Sequence, residues 1–178
     1  MLGPTLETSR LRLRPPSPDD LEAYTAFAAD PVTARFLGGP QTRHEAWRSL
    51  ATLIGAWSLR GYAMFSVIEK ETGRWIGRVG PWYPEGWPGQ EVGWGISADA
   101  QQKGYAREAA QAALDWAFEQ LGWSEVIHCI DPLNLPSIAL ARSLGSSLVR
   151  TAVAAPAPLA ATWDLYGQSR AAWRARKR

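Results

Sequence analysis

The sequence predicts a single domain of mixed α and β structure, with helices packed on one sheet of about seven strands. Three observations predict it. Short segments alternate apolar and polar residues at period two, as strands with one wet face do. Longer segments place apolar residues at helical spacing. Clusters of Gly, Pro and Asp separate them, and no segment repeats another. The 178 residues allow one sizeable core, and 46% hydrophobic with 20% charged residues is ordinary for a globular chain.

Ser9–Arg14 alternates Leu11 and Leu13 with arginines and reads as a strand that Pro15-Pro16 ends. Ser17 is a suitable N-cap and Pro18 a suitable first residue for a helix to about Ala29, which Asp30-Pro31 breaks. A short helical stretch is expected over Val32–Leu37. A longer helix spans about Thr42 to Leu59, with Trp47, Leu50, Ile54 and Trp57 at helical spacing and Gly61 closing it. Strands Ala63–Lys70 and Arg74–Trp82 flank the turn Glu71-Thr72-Gly73. After the loop Tyr83–Gly89 comes the strand Gln90–Ser97, with Gly93 and Gly95 inside it. Glycines there suggest a bulge or a ligand near the backbone. Ala106, Ala109, Ala110, Ala113, Leu114, Ala117, Phe118 and Leu121 stripe a helix from about Gly104 to Leu121. Then follow a buried strand Glu125–Ile130, a short helix Pro136–Leu144, strands Ser147–Val153 and Leu159–Tyr166 around the AAPAP segment, and a C-terminal helix after Gly167.

The net charge is only +2, and the basic excess is partly local, in Arg170, Arg174, Arg176, Lys177 and Arg178. That tail reads as a solvated helix end; with no nucleic-acid motif beside it, no nucleic-acid partner is expected. The single Cys129 excludes an internal disulfide and a cysteine-built zinc site, and it suits a reducing cytoplasm. His44 and His128 read as structural, no metal cluster has ligand spacing, and no apolar run approaches a membrane span, so neither a metal nor a membrane is expected. The ten tryptophans read first as core; the cluster Trp82, Trp87 and Trp94 could instead wall a pocket.

The informative segment is Glu91–Arg107, where a glycine-bearing strand leads through a polar loop into the strongest helix. A helix's first turn carries unpaired N–H groups and partial positive charge, so it attracts phosphate. Gly104 and Ala106 keep the turn small, and Lys103 and Arg107 add charge. By itself such a turn often only packs helix on strand. Gln101-Gln102-Lys103-Gly104-Tyr105-Ala106, however, matches the Gln/Arg-x-x-Gly-x-Gly/Ala pattern of the GNAT acetyltransferase superfamily. Asp131–Ser137 and Leu144-Gly145 resemble further segments of it, and TSRLRLRPPSPDDLEAY is similar to the opening of its ribosomal-protein-acetylating branch. The resemblance runs from about Leu6 to Tyr166.

The resemblance implies a GNAT-like α+β fold with a mostly antiparallel sheet and about four flanking helices. It implies acetyl-coenzyme A as cosubstrate and an amine acceptor, a small molecule or a protein N-terminus. It assigns the coenzyme's pyrophosphate to the turn of Gln101, Gln102, Lys103, Gly104, Tyr105, Ala106 and Arg107. The pantetheine arm goes to the backbone near Trp94, Gly95 and Ile96, and a second contact to Asn134 and Ser137, although Asn134 also suits an N-cap. Glu91 is the candidate base, with Glu69 and Glu85 as competitors. Ser137 is placed to bond the sulfur, and the amide near Ile96 to polarise the carbonyl. Two positions depart from the family: Ser146 stands where Phe is usual, and Ala141 where many relatives carry an acid Tyr. The second departure keeps open a non-catalytic acyl-coenzyme-A-binding module. The acceptor wall is expected from Asp30–Arg60 and Tyr83–Gly89, and the AAPAP segment with the final strands could form a homodimer surface.

Overall fold

The computed structural model describes residues 3–156 and 161–177. The chain runs β1 (Leu6–Glu7), β2 (Leu11–Arg14), α1 (Leu21–Ala29), α2 (Pro31–Ala34), α3 (Arg43–Arg60), β3 (Phe65–Glu69), β4 (Trp75–Trp82), β5 (Glu91–Ile96), α4 (Tyr105–Glu119), β6 (Glu125–Ile130), α5 (Leu135–Ser143), β7 (Ser147–Ala154), β8 (Thr162–Ser169) and α6 (Arg170–Arg176). The strands form one sheet in the order β1-β2-β3-β4-β5-β6-β8-β7, antiparallel except for β5 beside β6.

The expected mixed α+β architecture holds, with eight strands in place of seven and six helices in place of four among the described residues. The extra strand, β1, is only two residues long and carries no periodicity to read. α2 and α6 are short. The last strand is displaced. Gly167 lies inside it, because a Cβ there would meet the Val126 carbonyl at 2.7 Å, so the glycine permits pairing where it was expected to end the strand. Leu159 and Ala160, and part of the AAPAP segment, lie outside the described residues.

Helix ends follow their local chemistry. Thr42 caps α3 in a capping box with Glu45, and Gly61 ends it at φ 75. Ahead of α1, Asp20 is buried; it accepts both arms of Arg14 (2.9 and 2.5 Å), the Ser17 amide (2.9 Å) and the Ser66 hydroxyl (2.7 Å). These partners satisfy a buried polar group that would be costly to leave unpaired.

The sheet alternation assigns the two faces. Leu11, Leu13, Val79, Val92 and Ile96 pack with the α4 stripe Ala109, Ala110, Ala113, Leu114 and Ala117. On the other face Tyr24, Phe27, Leu50, Leu53 and Met64 cluster where α1 meets α3. A Cβ on Gly95 would meet Phe27 Cζ at 2.9 Å, and one on Gly93 would meet Met64 Cε at 2.6 Å. These strand glycines therefore make room for the α1–α3 layer, a packing cause beside the ligand approach expected from sequence.

Candidate active site

β5 and β6 pair only at Glu91↔Ile127, with the Ile127 amide on the Gln90 carbonyl at 2.9 Å. Past that point the Cys129 amide donates to Glu91 Oε1 (3.1 Å) and the strands part. Ser97 N–H bonds the Ile76 carbonyl, so by antiparallel alternation Val92, Trp94 and Ile96 direct their backbone groups away from β4 and into the gap. The Val92 carbonyl accepts His128 Nδ1–H (2.7 Å), and the Ile96 carbonyl accepts the Gln101 side chain (2.9 Å). The Trp94 and Ile96 amides face the gap where β6 does not pair with them.

Beside the gap lies a cavity of about 600 Å³, lined by β4, β5, β6 and the α1–α3 layer. Glu91 stands in it and is only 6% exposed. Its Oε2 accepts Trp87 Nε1–H at 2.6 Å. Burial drives the carboxyl up to about 7, with the Cys129 and Trp87 bonds opposing. A buried acid in a cleft with such a shift is the kind of group acid–base chemistry uses. The competitors stand elsewhere. Glu69 is held low by the Thr72 and Tyr105 hydroxyls (2.5 Å each), and Glu85 is fully exposed near Arg60. Neither lines the cavity.

Trp94, Asn134 and Ser137 join Glu91 in this cavity. Trp94 Nε1–H bonds Ser137 Oγ (3.2 Å), and Asn134 Oδ1 accepts the Ser137 amide (3.2 Å), which is also the N-cap of α5. Gln101 through Arg107 lie outside the cavity, at the start of α4. Gln102 (φ 61) and Gly104 (φ 81) are both left-handed, which curls the turn into a backbone concavity suited to an anion. The first intrahelical bond runs from Glu108 N to Gly104 O (3.1 Å), so the Tyr105, Ala106 and Arg107 amides precede the ladder. Lys103 and Arg107 are exposed beside them. Tyr105 is buried with its hydroxyl on Glu69, so only its backbone is available to a ligand. These groups fit a pyrophosphate, and the gap fits an extended arm with amide groups.

Sequence reasoning passed over several residues that build the site. His128 is buried, packs at 4.7 Å and a tilt of 46° against Trp94 and accepts the Ser146 hydroxyl at Nε2 (2.9 Å); burial lowers its pKa to about 4, so it is neutral. Ser146 thus has a polar task that Phe could not perform, and Gln168 donates to it as well (3.0 Å). Trp82, Trp87 and Trp94, which the sequence offered as a pocket wall, do line the cavity, and Trp163 joins them unannounced, with Trp87 contacting Trp82 and Trp163. Arg35, Phe36, Leu37, Gln41, Ser49 and Thr52 supply the wall expected from the helical region. Ala141 is fully buried against Ile138 and Tyr166. Among the described residues no His, Cys, Asp or Glu cluster is arranged for a metal, and no helix is long and apolar enough to cross a membrane.

A model of the acetyltransferase (GNAT) domain matches residues 10–147. The uncharacterised N-acetyltransferase p20 of Bacillus licheniformis is 33% identical over 143 residues, which is 79% of this chain and 80% of its own. An acetyltransferase structure from Agrobacterium tumefaciens is 32% identical and superposes with a TM-score of 0.81 over 93% of this chain and 94% of that one. The ribosomal-protein-S5-alanine acetyltransferase of Vibrio fischeri shares the fold, at 17% identity and a TM-score of 0.72 over 96% of this chain and 98% of its own.

Proposed function

The chain belongs to the GNAT acetyltransferase family and is an acetyl-coenzyme-A-dependent acyltransferase, and from that premise we propose that it acetylates a primary amine by direct attack in a ternary complex, with Glu91 as the base. The observation that carries this reading is the Glu91 carboxyl, buried at the mouth of the β5–β6 gap with its pKa at about 7. The coenzyme supplies a thioester carbonyl. The left-handed turn at Gln102 and Gly104 and the amides that follow hold its phosphates, while Trp94 and Ile96 offer backbone groups to its arm.

The acceptor enters from the α1–α3 side, between the tryptophans and Arg35–Gly38. An ammonium has no lone pair, and a lysine near pKa 10.4 needs more help than an N-terminus near about 8. Glu91 takes the proton as the nitrogen closes on the carbonyl carbon. The Ile96 amide polarises the carbonyl oxygen. Ser137, oriented by Trp94, hydrogen-bonds the sulfur as the carbon–sulfur bond breaks. A thiolate leaves readily, so the site works without a tyrosine at Ala141.

The test is Glu91→Gln. We expect kcat to fall by ~100-fold or more, with acetyl-coenzyme A binding by calorimetry held within about twofold of wild type. Intact turnover with intact binding would remove Glu91 from the role of base.

A further inference from the structure

The cavity holds a cation whose partners in the protein do not suit it. Arg78, on β4, lines the cavity. Its Nη1 donates to Met64 Sδ at 2.8 Å, and a thioether is a weak acceptor. Its Nε is buried with no hydrogen-bond partner. Among the described residues it forms no ion pair, and residues 1–2, 157–160 and 178 include no Asp or Glu. A half-buried guanidinium left in this state has lost water without gaining a carboxylate.

Its place in the sheet relates it to Glu91. Across β4 and β5 the register sets Trp82 opposite Glu91, Gly80 opposite Gly93 and Arg78 opposite Gly95, all on one face. The two glycines between carry no side chain, and Met64 lies over them. Arg78 Nη1 touches Met64 Sδ, and Met64 Cε and Glu91 Oε1 both lie over Gly93, at 2.6 and 3.3 Å from where a Cβ would stand. The base and the cation without an ion pair thus face the same space, under an aromatic wall of Tyr24, Trp82, Trp87 and Trp163.

We propose that Arg78 binds a carboxylate on the acceptor, so that the acceptor is an amino-acid-like amine with an apolar or aromatic body. The guanidinium fork matches a carboxylate in two bonds, and the amine then falls beside Glu91. The inference rests on the acetyl-transfer reading above, and its experiment separates the two. Phenylalanine and phenethylamine, which differ only in the carboxylate, are offered with acetyl-coenzyme A and their products measured by mass spectrometry. Wild type should favour phenylalanine in kcat/KM by ~10-fold or more, the worth of one charge-assisted pair. Arg78→Met should erase that preference through the acceptor KM, while the acetyl-coenzyme A KM stays in place, and Arg78→Lys should restore part of it. Equal use of both amines, or equal losses for both in Arg78→Met, overturns the proposal. N-acetylphenylalanine and N-acetylphenethylamine are also titrated into the protein. A carboxylate preference in that binding, lost in Arg78→Met, supports Arg78 even where no amine is turned over, and in that case the acetyl-transfer reading alone fails. Binding without such a preference overturns the Arg78 assignment.

Discussion

Four donors converge on Glu108, in the first turn of α4: the Thr8 hydroxyl (2.6 Å), the Ser9 hydroxyl (3.0 Å), the Arg10 amide (2.8 Å) and Arg10 Nε (2.7 Å). Burial pushes the carboxyl up, but these bonds outweigh it and hold it at about 2. Arg10 also lies over the Tyr105 ring and donates to the Lys103 carbonyl (2.9 Å). The β1–β2 turn thus braces the α4 start, where the phosphates are proposed to sit, without touching them. Glu108→Gln should cost about 1–2 kcal/mol, discounted for partial exposure, and raise the KM for acetyl-coenzyme A several-fold with the acceptor KM steady. Thermal unfolding and initial rates check it; an unmoved coenzyme KM would make Glu108 a brace for the fold alone. The periodicity of α4 marks Glu108 only as a residue off the apolar stripe. Its partners lie about a hundred residues away, so nothing local records the clamp.

Elements with strong local signals were legible in the sequence: β2 from its Leu–Arg alternation, α3 from Thr42 and Gly61, α4 from its alanine stripe. β1 was not, because two residues carry no periodicity, and the true span of β8 was not, because its pairing with the distant β6 decides it. The turn before α4 was legible as a small-residue motif, and the tryptophan cluster and the helical region as pieces of a wall, but the cavity they make with the rest was not. Arg78, His128 and Trp163 come from separate segments and meet only when the sheet forms. The turn itself can be tested at this scale. Gly104 sits at φ 81 in open solvent, with only the flexible tip of Arg10 near its Cβ position (3.3 Å). Gly104→Glu should therefore cost only about 1–2 kcal/mol of backbone strain, which leaves the protein folded. It also sets a carboxylate against the phosphates. We expect calorimetry to show acetyl-coenzyme A affinity reduced ~10-fold or more. A folded variant that binds as wild type does would move the pyrophosphate away from this turn.

For the whole molecule, three buried or clamped groups contribute in opposite senses to how stability follows pH. His128 drops from 6.5 to about 4 and Glu108 from 4.5 to about 2, so the unfolded chain binds the extra protons and stability falls as pH falls through these windows. Glu91 acts in the opposite sense. Its folded value of about 7 lies above the 4.5 of the free acid, so the folded state keeps a proton that the unfolded chain loses. Its penalty grows as pH rises from 4.5 and is complete above 7, at roughly 3 kcal/mol before relaxation. Glutamine cannot ionise, but its NH2 meets either the Cys129 amide or Trp87 Nε1–H, so it loses one of the two accepted bonds at every pH. The stability of Glu91→Gln relative to wild type should therefore shift in the variant's favour by about 1–3 kcal/mol between pH 5 and pH 9, read from urea midpoints at the two values. Wild-type kcat/KM should rise with pH through the same window, because the ionisation that destabilises the fold is the one that lets Glu91 take a proton. A stability gap that stays constant from pH 5 to pH 9 would mean that Glu91 ionises as an ordinary carboxylate. Its burial would then have no part in the chemistry.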